Sequence, residues 1–117
     1  MLKSIVVHGN GIGKQLGFPT ANLNIKKEDV NLSPGVYIAK AILSGNNFLA
    51  SLTILENPVF KFEVHLLDYV GEDFYGKSLE VEIGEKISDL VKFKDEEELI
   101  LKIKEDIEKI KNPKKKT

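Results

Sequence analysis

The sequence contains no cysteine and no arginine. The lack of cysteine excludes a disulfide framework and any metal site built on thiolates. The lack of arginine means that all 17 basic residues are lysine. A phosphate or carboxylate ligand would therefore have to be bound by lysine, by backbone N–H groups or by a metal, because the bidentate guanidinium fork is absent.

Long apolar runs and a strong charge imbalance are also missing. The opening residues MLKSIVVHG meet a glycine too early for a signal peptide, and no apolar run approaches the length of a membrane span. The net charge of −1 gives no reason to expect nucleic acid or an anionic membrane as a partner. The hydrophobic content of 42% over 117 residues is typical of one folded domain. We expect a cytoplasmic monomer with no nucleic-acid or membrane partner.

Six short segments have the composition of β-strands. In the segment TANLNI (20–25), Ala21 and Leu23 share one face, and in VFKFEVHLLDY (59–69) Phe62 and Val64 alternate with Glu63. The residues SGNN between the third and fourth segments predict a hairpin. The six segments are SIVVHG (4–9), TANLNI (20–25), VYIAKAIL (36–43), FLASLTIL (48–55), VFKFEVHLLDY (59–69) and LEVEIGEKI (79–87).

A helical pattern follows the strands. From Asp95 to Pro113, apolar residues recur at helical spacing, and Asp95 with Glu98 resembles a capping box. Six strands and one helix predict an all-β fold with a C-terminal α-helix, in which a small antiparallel barrel carries the helix on its surface. We assign residues 1–111 to this domain and residues 112–117 to a flexible basic tail. The apolar residues at helical spacing in this C-terminal helix are Leu99, Ile103, Ile107 and Ile110.

The segment GIGKQLGFPTANL, residues 11–23, is the most unusual part of the chain. The overlapping run GNGIGKQ, residues 9–15, does not match a P-loop, because its Gly-to-Gly spacing is one residue short and Gln15 stands where Mg²⁺ needs a hydroxyl. It does not match the Rossmann GxGxxG either, because GNGIG is GxGxG and no βαβ pattern surrounds it. Its glycines and Lys14 could still approach an anion, and Thr20 and Asn22 offer hard oxygen donors suited to Mg²⁺. From the residues alone, a glycine-rich crossover without a ligand stays open.

The run HGNGIGKQLGFPTANL, residues 8–23, resembles the signature of the riboflavin kinases, or flavokinases. This module also forms the C-terminal half of bifunctional bacterial FAD synthetases. The similarity continues in order through PGVYIAKA, NPVFKFEVHLLDY, EDFYGKSLEV and KFKDEEELILKIKEDI, so that it spans nearly the whole chain. Both a stand-alone kinase and the kinase half of a longer protein agree with this sequence.

The resemblance implies a six-stranded antiparallel Greek-key barrel that transfers the γ-phosphate of ATP to the ribityl 5′-hydroxyl of riboflavin, giving FMN and ADP. It implies Glu63 as the catalytic carboxylate, and Thr20 and Asn22 as ligands of Mg²⁺. The implied nucleotide-binding residues are Gly9, Gly13, Lys14, Gly17, Pro19, Thr20, Asn22, Leu66, Asp68 and Tyr75, and the implied flavin-binding residues are Glu63, Ser88 and Phe93.

The chain departs from the family pattern in three places. Ser88 stands where the family commonly has arginine, so that one flavin or phosphate contact is expected to be lost or to be supplied by Lys86 or Lys92. The connection from Asn57-Pro58 to Glu63 is shorter than usual, and Lys14 lies in a loop where arginines are frequent. We expect these changes to weaken flavin affinity without abolishing turnover.

Two other functions compete with a kinase. A degenerate relative could bind flavin or nucleotide as a sensor without transferring phosphate, although a pure binder has no need of a general base at Glu63. A small nucleic-acid-binding barrel would need a basic, aromatic-rich strand face, which the sequence lacks. Formation of FMN from riboflavin, ATP and Mg²⁺ would distinguish the kinase from the sensor and from the nucleic-acid-binding barrel.

Overall fold

The computed structural model describes residues 2–7, 21–56, 59–69, 75–90, 92 and 94–112. Within these residues, the strands are β1 (Leu2–Val7), β2 (Ala21–Leu23), β3 (Gly35–Leu43), β4 (Asn46–Leu55), β5 (Lys61–Leu66) and β6 (Ser78–Ser88). A helix, α1 (Glu96–Lys111), follows them, and a short 3-10 helix (Lys27–Asp29) lies between β2 and β3. All strand pairs are antiparallel, and the strands close into a barrel in the order β1-β2-β5-β4-β3-β6.

This strand order contains a Greek key. Strands β3, β4 and β5 are consecutive neighbours, and β6 returns to lie beside β3. The predicted barrel with a C-terminal helix is therefore confirmed. Strand bounds differ from the predicted segments by a few residues, most clearly in the fifth strand, which is shorter than the segment 59–69.

The hairpin between β3 and β4 turns at Ser44 and Gly45. Both residues have positive φ, 51° and 82° respectively. Positive φ at both central positions belongs to a two-residue type I′ turn, whose twist matches that of paired strands. The predicted four-residue turn is therefore tighter than expected, because Asn46 and Asn47 already belong to β4.

Alternate residues of each strand fill the barrel. Phe62 and Val64 of β5 are 1% and 0% exposed, and their partners on neighbouring strands are equally buried. Residues between them face outward, as the period of two requires. The buried cluster contains Val6, Ala21, Leu23, Val30, Tyr37, Ala39, Ala41, Leu43, Ala50, Leu52, Ile54, Phe62, Val64, Leu66, Leu79 and Val81.

Strand β6 carries two register shifts against β3. Its pairing with β3 shifts once between Ile83 and Lys86 and again between Lys86 and Ser88. Each shift places one extra residue on β6, as a β-bulge does. Two successive shifts return Ser88 to the outer face of the barrel, opposite the outward-facing Val36.

The start of α1 is capped as the sequence predicts. The Asp95 carboxylate accepts a hydrogen bond of 3.0 Å from the backbone N–H of Glu98. The Glu98 carboxylate accepts from the backbone N–H of Lys94 at 2.8 Å, one residue earlier than in a standard capping box. No helix in the described part of the chain has both the length and the apolar character that a membrane crossing needs.

Candidate active site on the outer face of the barrel

Glu63 lies on the outer face of β5, between two polar residues of neighbouring strands. It is directly opposite Asn22 of β2 on one side and Thr53 of β4 on the other. Side chains directly opposite one another on antiparallel strands share a face, with Cβ atoms about 5 Å apart. A carboxylate, a carboxamide and a hydroxyl are therefore neighbours on the barrel wall.

The same line of cross-strand partners continues past Thr53. Thr53 lies opposite Val36 of β3, and Val36 lies opposite Ser88 of β6. We call the line Asn22–Glu63–Thr53–Val36–Ser88 the outer row. With about 4.8 Å between neighbouring strands, Glu63 and Ser88 are separated by about 14 Å. Asn22, Glu63, Thr53 and Ser88 are partly exposed, whereas Val36 is only 5% exposed, so the open part of the outer row runs from Asn22 to Thr53.

The environment of Glu63 disfavours its charged form. Burial raises the pKa of the Glu63 carboxyl above its ordinary value of 4.5, and the positive charge of Lys61 opposes part of that rise. A carboxylate with a raised pKa holds a proton more readily, which suits a general base that must accept one from a substrate. The electrostatics thus favour an acid–base role for Glu63.

His65 follows Glu63 on the same outer face, opposite Ser51. Burial lowers the pKa of the imidazole below 6.5, with an opposing effect from Asp68 and a small further lowering from Lys111. The neutral imidazole is therefore favoured in the folded protein. Nothing in this arrangement assigns His65 a chemical step.

The helix α1 packs on the outer face of the barrel, where it contacts β4 and β6. Its contact with β6 contains a buried polar cluster. The Ser88 hydroxyl donates to Asp106 Oδ1 at 2.9 Å, and Lys102 Nζ donates to Ser88 Oγ at 2.9 Å and to Asp106 Oδ2 at 2.6 Å. We call Ser88, Lys102 and Asp106 the helix cluster. It lies at the end of the outer row remote from Asn22.

The helix cluster bears on the departure noted at Ser88. Lys86 is bonded elsewhere, because its Nζ lies 2.8 Å from Asp89 Oδ1 and 3.3 Å from Ser33 Oγ. The cation that contacts Ser88 is Lys102 of the helix. Lys102 thus differs from the lysines that the sequence predicted, Lys86 and Lys92, as replacements for the arginine of the family.

The structure describes the surroundings of three further predicted residues, Leu66, Asp68 and Tyr75. Leu66 is 3% exposed and belongs to the barrel core, so its side chain cannot line an external nucleotide site, although its backbone could. Asp68 has a φ of 60° and accepts a hydrogen bond of 3.0 Å from Lys111 Nζ. Tyr75 is partly exposed beside Gly76, whose N–H donates to the Val6 carbonyl at 2.8 Å. Predicted residues outside the described ranges are Gly9, Gly13, Lys14, Gly17, Pro19, Thr20 and Phe93.

One of the two predicted metal ligands, Asn22, lies within the described residues. The described residues contain no group of three or more His, Asp or Glu side chains that could hold an ion. The carboxamide oxygen of Asn22 is a hard oxygen donor, the type that Mg²⁺ prefers when phosphates and water complete its shell. The described residues therefore fit a metal held jointly with a phosphate substrate.

Three residues of interest escaped the sequence analysis: Thr53, Lys102 and Asp106. A signal for Asp106 was present, because it stands on the apolar stripe between Ile103 and Ile110 and is only 5% exposed. Lys102 lies one turn before it, in position to form the i,i+4 pair. Thr53 gave no local signal, because its pairing with Glu63 depends on the strand order.

The fold and site define a Greek-key barrel domain that carries a carboxylate–carboxamide pair on its outer wall. A sequence model of the family described as riboflavin kinase (Flavokinase) matches residues 1–113. The chain belongs to the riboflavin kinase family.

Similar proteins agree with this family. The chain is 37% identical over 109 residues to the bifunctional riboflavin kinase/FMN adenylyltransferase of Haemophilus influenzae, covering 88% of this chain and 35% of that protein. The Bacillus subtilis protein of the same name is 31% identical over 113 residues, covering 90% and 35%. The chain thus spans about a third of the length of these curated relatives.

Solved structures share the fold. A riboflavin kinase from Trypanosoma brucei superposes with a TM-score of 0.69 and 25% identity, covering 95% of this chain and 76% of that one. A Streptococcus pneumoniae chain described as a macrolide-efflux protein superposes with a TM-score of 0.85 and 30% identity, covering 94% of this chain and 38% of that one.

Proposed function

We propose that the chain is a riboflavin kinase, which transfers the γ-phosphate of ATP to the 5′-hydroxyl of riboflavin and releases FMN and ADP. Two findings support the proposal: membership of the family over residues 1–113, and the pairing of Glu63 with Asn22 on one face of the barrel. The pairing carries the argument, because phosphoryl transfer needs an acid–base group beside the position of the transferred phosphate.

Glu63 is the general base of this reaction. The O–H bond of the riboflavin hydroxyl breaks as its oxygen forms a bond to the γ-phosphorus, and the proton passes to the Glu63 carboxylate. The bond between the γ-phosphorus and the β,γ-bridging oxygen breaks, and ADP leaves with that oxygen. Half-burial raises the pKa of Glu63 and makes its carboxylate a better proton acceptor. Thr53, on the other side of Glu63, is placed to restrict the orientation of the carboxylate.

Asn22, together with the predicted ligand Thr20, would hold Mg²⁺ against the nucleotide phosphates. A bound Mg²⁺ would neutralise phosphate charge, a contribution that suits a chain without arginine. Since Asn22 pairs with Glu63, a metal at Asn22 would put the phosphate donor on the β2 side of the base. The acceptor alcohol then extends along the outer row in the other direction, over Thr53 and towards the covered Val36.

The direct test is to incubate the protein with riboflavin, ATP and Mg²⁺ and to separate the flavins by chromatography. We expect FMN and ADP to form in equal amounts, and no FMN when ATP is omitted. Binding of riboflavin without FMN formation would replace the kinase by a sensor. Retardation of an oligonucleotide, reversed by salt, would favour a nucleic-acid-binding barrel.

Substitution of Asn22 tests the metal assignment. We expect Asn22→Ala to shift the Mg²⁺ titration of activity to higher concentrations, because one oxygen donor is lost. Asn24, which lies just beyond β2, provides a control of the same chemistry in Asn24→Ala. An Asn22→Ala titration that overlays the wild-type curve would argue against direct ligation.

A further inference from the structure

We propose that Lys102 and Asp106 are positioning residues for riboflavin, because the helix cluster fixes α1 at the Ser88 end of the outer row, towards which riboflavin extends from Glu63. This inference rests on the proposed function and extends it to two residues with no assigned role. Neither residue touches the reacting atoms. They act by holding Ser88 and the helix in one arrangement.

The hydrogen bonds of the helix cluster form a closed set. Asp106 Oδ1 accepts from Ser88 and Oδ2 accepts from Lys102, while Ser88 Oγ also accepts from Lys102. The side chain of Asp106 is 7% exposed and that of Lys102 is 23% exposed. No buried side-chain polar atom of the described residues lacks a partner. Removal of Lys102 or Asp106 would leave the other charge without its ion-pair partner, so the cluster depends on both charged residues.

The position of the helix cluster relative to Glu63 indicates that the cluster affects the binding of riboflavin and not that of ATP. Asn22, on the phosphate side, and Ser88 are at opposite ends of the outer row. If the riboflavin hydroxyl lies at Glu63, the rest of that substrate extends over Thr53 towards α1, which contacts β4 and β6 on either side of β3, where Val36 is only 5% exposed. The helix therefore lies nearer to the riboflavin side of Glu63 than to the phosphate side at Asn22.

Few other polar contacts of the described residues hold α1 in place. Its end is linked to the barrel by the pair of Lys111 Nζ and Asp68 Oδ1 at 3.0 Å, whose side chains are 38% and 79% exposed. Exposed pairs of this kind contribute little to stability. The buried side chain of Ile110 adds packing, which is less specific in direction than hydrogen bonds. The helix cluster therefore sets the orientation of α1 along β6.

The experiment compares Lys102→Met, Asp106→Asn and the double variant Lys102→Met/Asp106→Leu with the wild-type protein. Lys3→Met is the matched control, because Lys3 forms an exposed pair of 3.9 Å with Glu80 on a different part of β6. The dissociation constant of riboflavin is measured by quenching of flavin fluorescence, and that of ADP by calorimetry. The kcat and the KM for riboflavin are measured at saturating ATP, and unfolding is followed in urea.

We expect the three variants of the helix cluster to raise the dissociation constant and KM of riboflavin about tenfold or more, since a displaced wall misplaces the substrate. The dissociation constant of ADP and the kcat should stay within about twofold. The double variant separates positioning from stability, because apolar replacement of a buried pair often preserves the fold. It should unfold at a urea concentration near that of wild type and still bind riboflavin weakly.

Two results would overturn the inference alone: wild-type riboflavin affinity in the double variant, or equal loss of riboflavin and ADP affinity in all three. Failure of the proposed function would look different. A wild-type protein that binds riboflavin but makes no FMN would refute the kinase, and the dissociation constants would still test the helix cluster. A wild-type protein that does not bind riboflavin would refute both.

Discussion

The replacement Glu63→Gln should lower activity and raise stability at the same time. Glutamine keeps the size of glutamate and its ability to hydrogen-bond between Asn22 and Thr53, but it cannot take a proton from an alcohol. General-base catalysis is typically worth about 10²–10⁴ in rate. The loss corresponds to about 2.7–5.5 kcal/mol in activation free energy, at about 1.36 kcal/mol for each factor of ten.

The stability effect follows from the pKa of Glu63. Burial raises this pKa in the folded protein, so the unfolded chain loses its proton first as pH rises. The wild-type fold therefore loses stability as pH rises from the ordinary value of 4.5 through the raised value. Glu63→Gln carries no charge to bury and escapes that loss. The two proteins should be equally stable in acid, and the variant should be more stable at neutral pH.

The assay is urea unfolding at a series of pH values between about 4 and 8, together with initial rates of FMN formation at saturating substrates. Glu82→Gln serves as a control, because Glu82 is an exposed glutamate of β6 distant from the outer row. We expect Glu82→Gln to keep wild-type turnover and the wild-type pH profile. Wild-type turnover in Glu63→Gln would remove the residue from its proposed role, and a variant that is less stable at neutral pH would contradict the argument from burial.

Three further predictions concern the fold. Gly84→Ala should destabilise the protein by about 1–3 kcal/mol in urea, because the new Cβ would lie 2.7 Å from Ile38 Cγ2 and 3.0 Å from its carbonyl oxygen; unchanged stability would mean that the bulge adapts. Asp95→Ala should cost about 1 kcal/mol through loss of the bond to the Glu98 N–H, whereas Asp95→Asn should cost less, and equal losses would exclude capping as the cause. The pKa of His65 is lowered in the folded protein, so the unfolded chain binds a proton at this residue first as pH drops. Wild-type stability should therefore fall as pH drops through about 6.5, and His65→Gln should flatten that dependence. Identical pH profiles of the two proteins would contradict this prediction.

Local pattern was enough to predict which face of a strand each residue occupies. The alternation of Phe62 and Val64 with Glu63 placed the glutamate outside the barrel, and the structure agrees. The helix start at Asp95 followed from a capping signal that spans only four residues, Asp95 to Glu98. These features depend on contacts between residues close in sequence, where periodicity and propensity act directly.

The long-range parts of the site could not be derived from local pattern. Glu63 meets Asn22 because β5 leaves its sequence neighbour β6 and pairs with β2, and no local signal selects that partner. The resemblance to riboflavin kinases predicted that Glu63 and Asn22 belong to one site, whereas their spacing in the sequence did not. In the same way, the position of Asp106 on the apolar stripe indicates burial, but its bond to Ser88 depends on how the barrel brings β6 against the helix.

Closure of the barrel through β1 has a consequence for the order of events during synthesis. β1 lies between β2 and β6, and its residues Leu2 to Ile5 pair with residues of β6 that the ribosome adds after five strands are already complete. Until then, β1 and β3 each present an unpaired edge, and such edges invite association between chains. Nascent chains halted before Ser78 should therefore depend on chaperones to a degree that chains released after Ser88 do not.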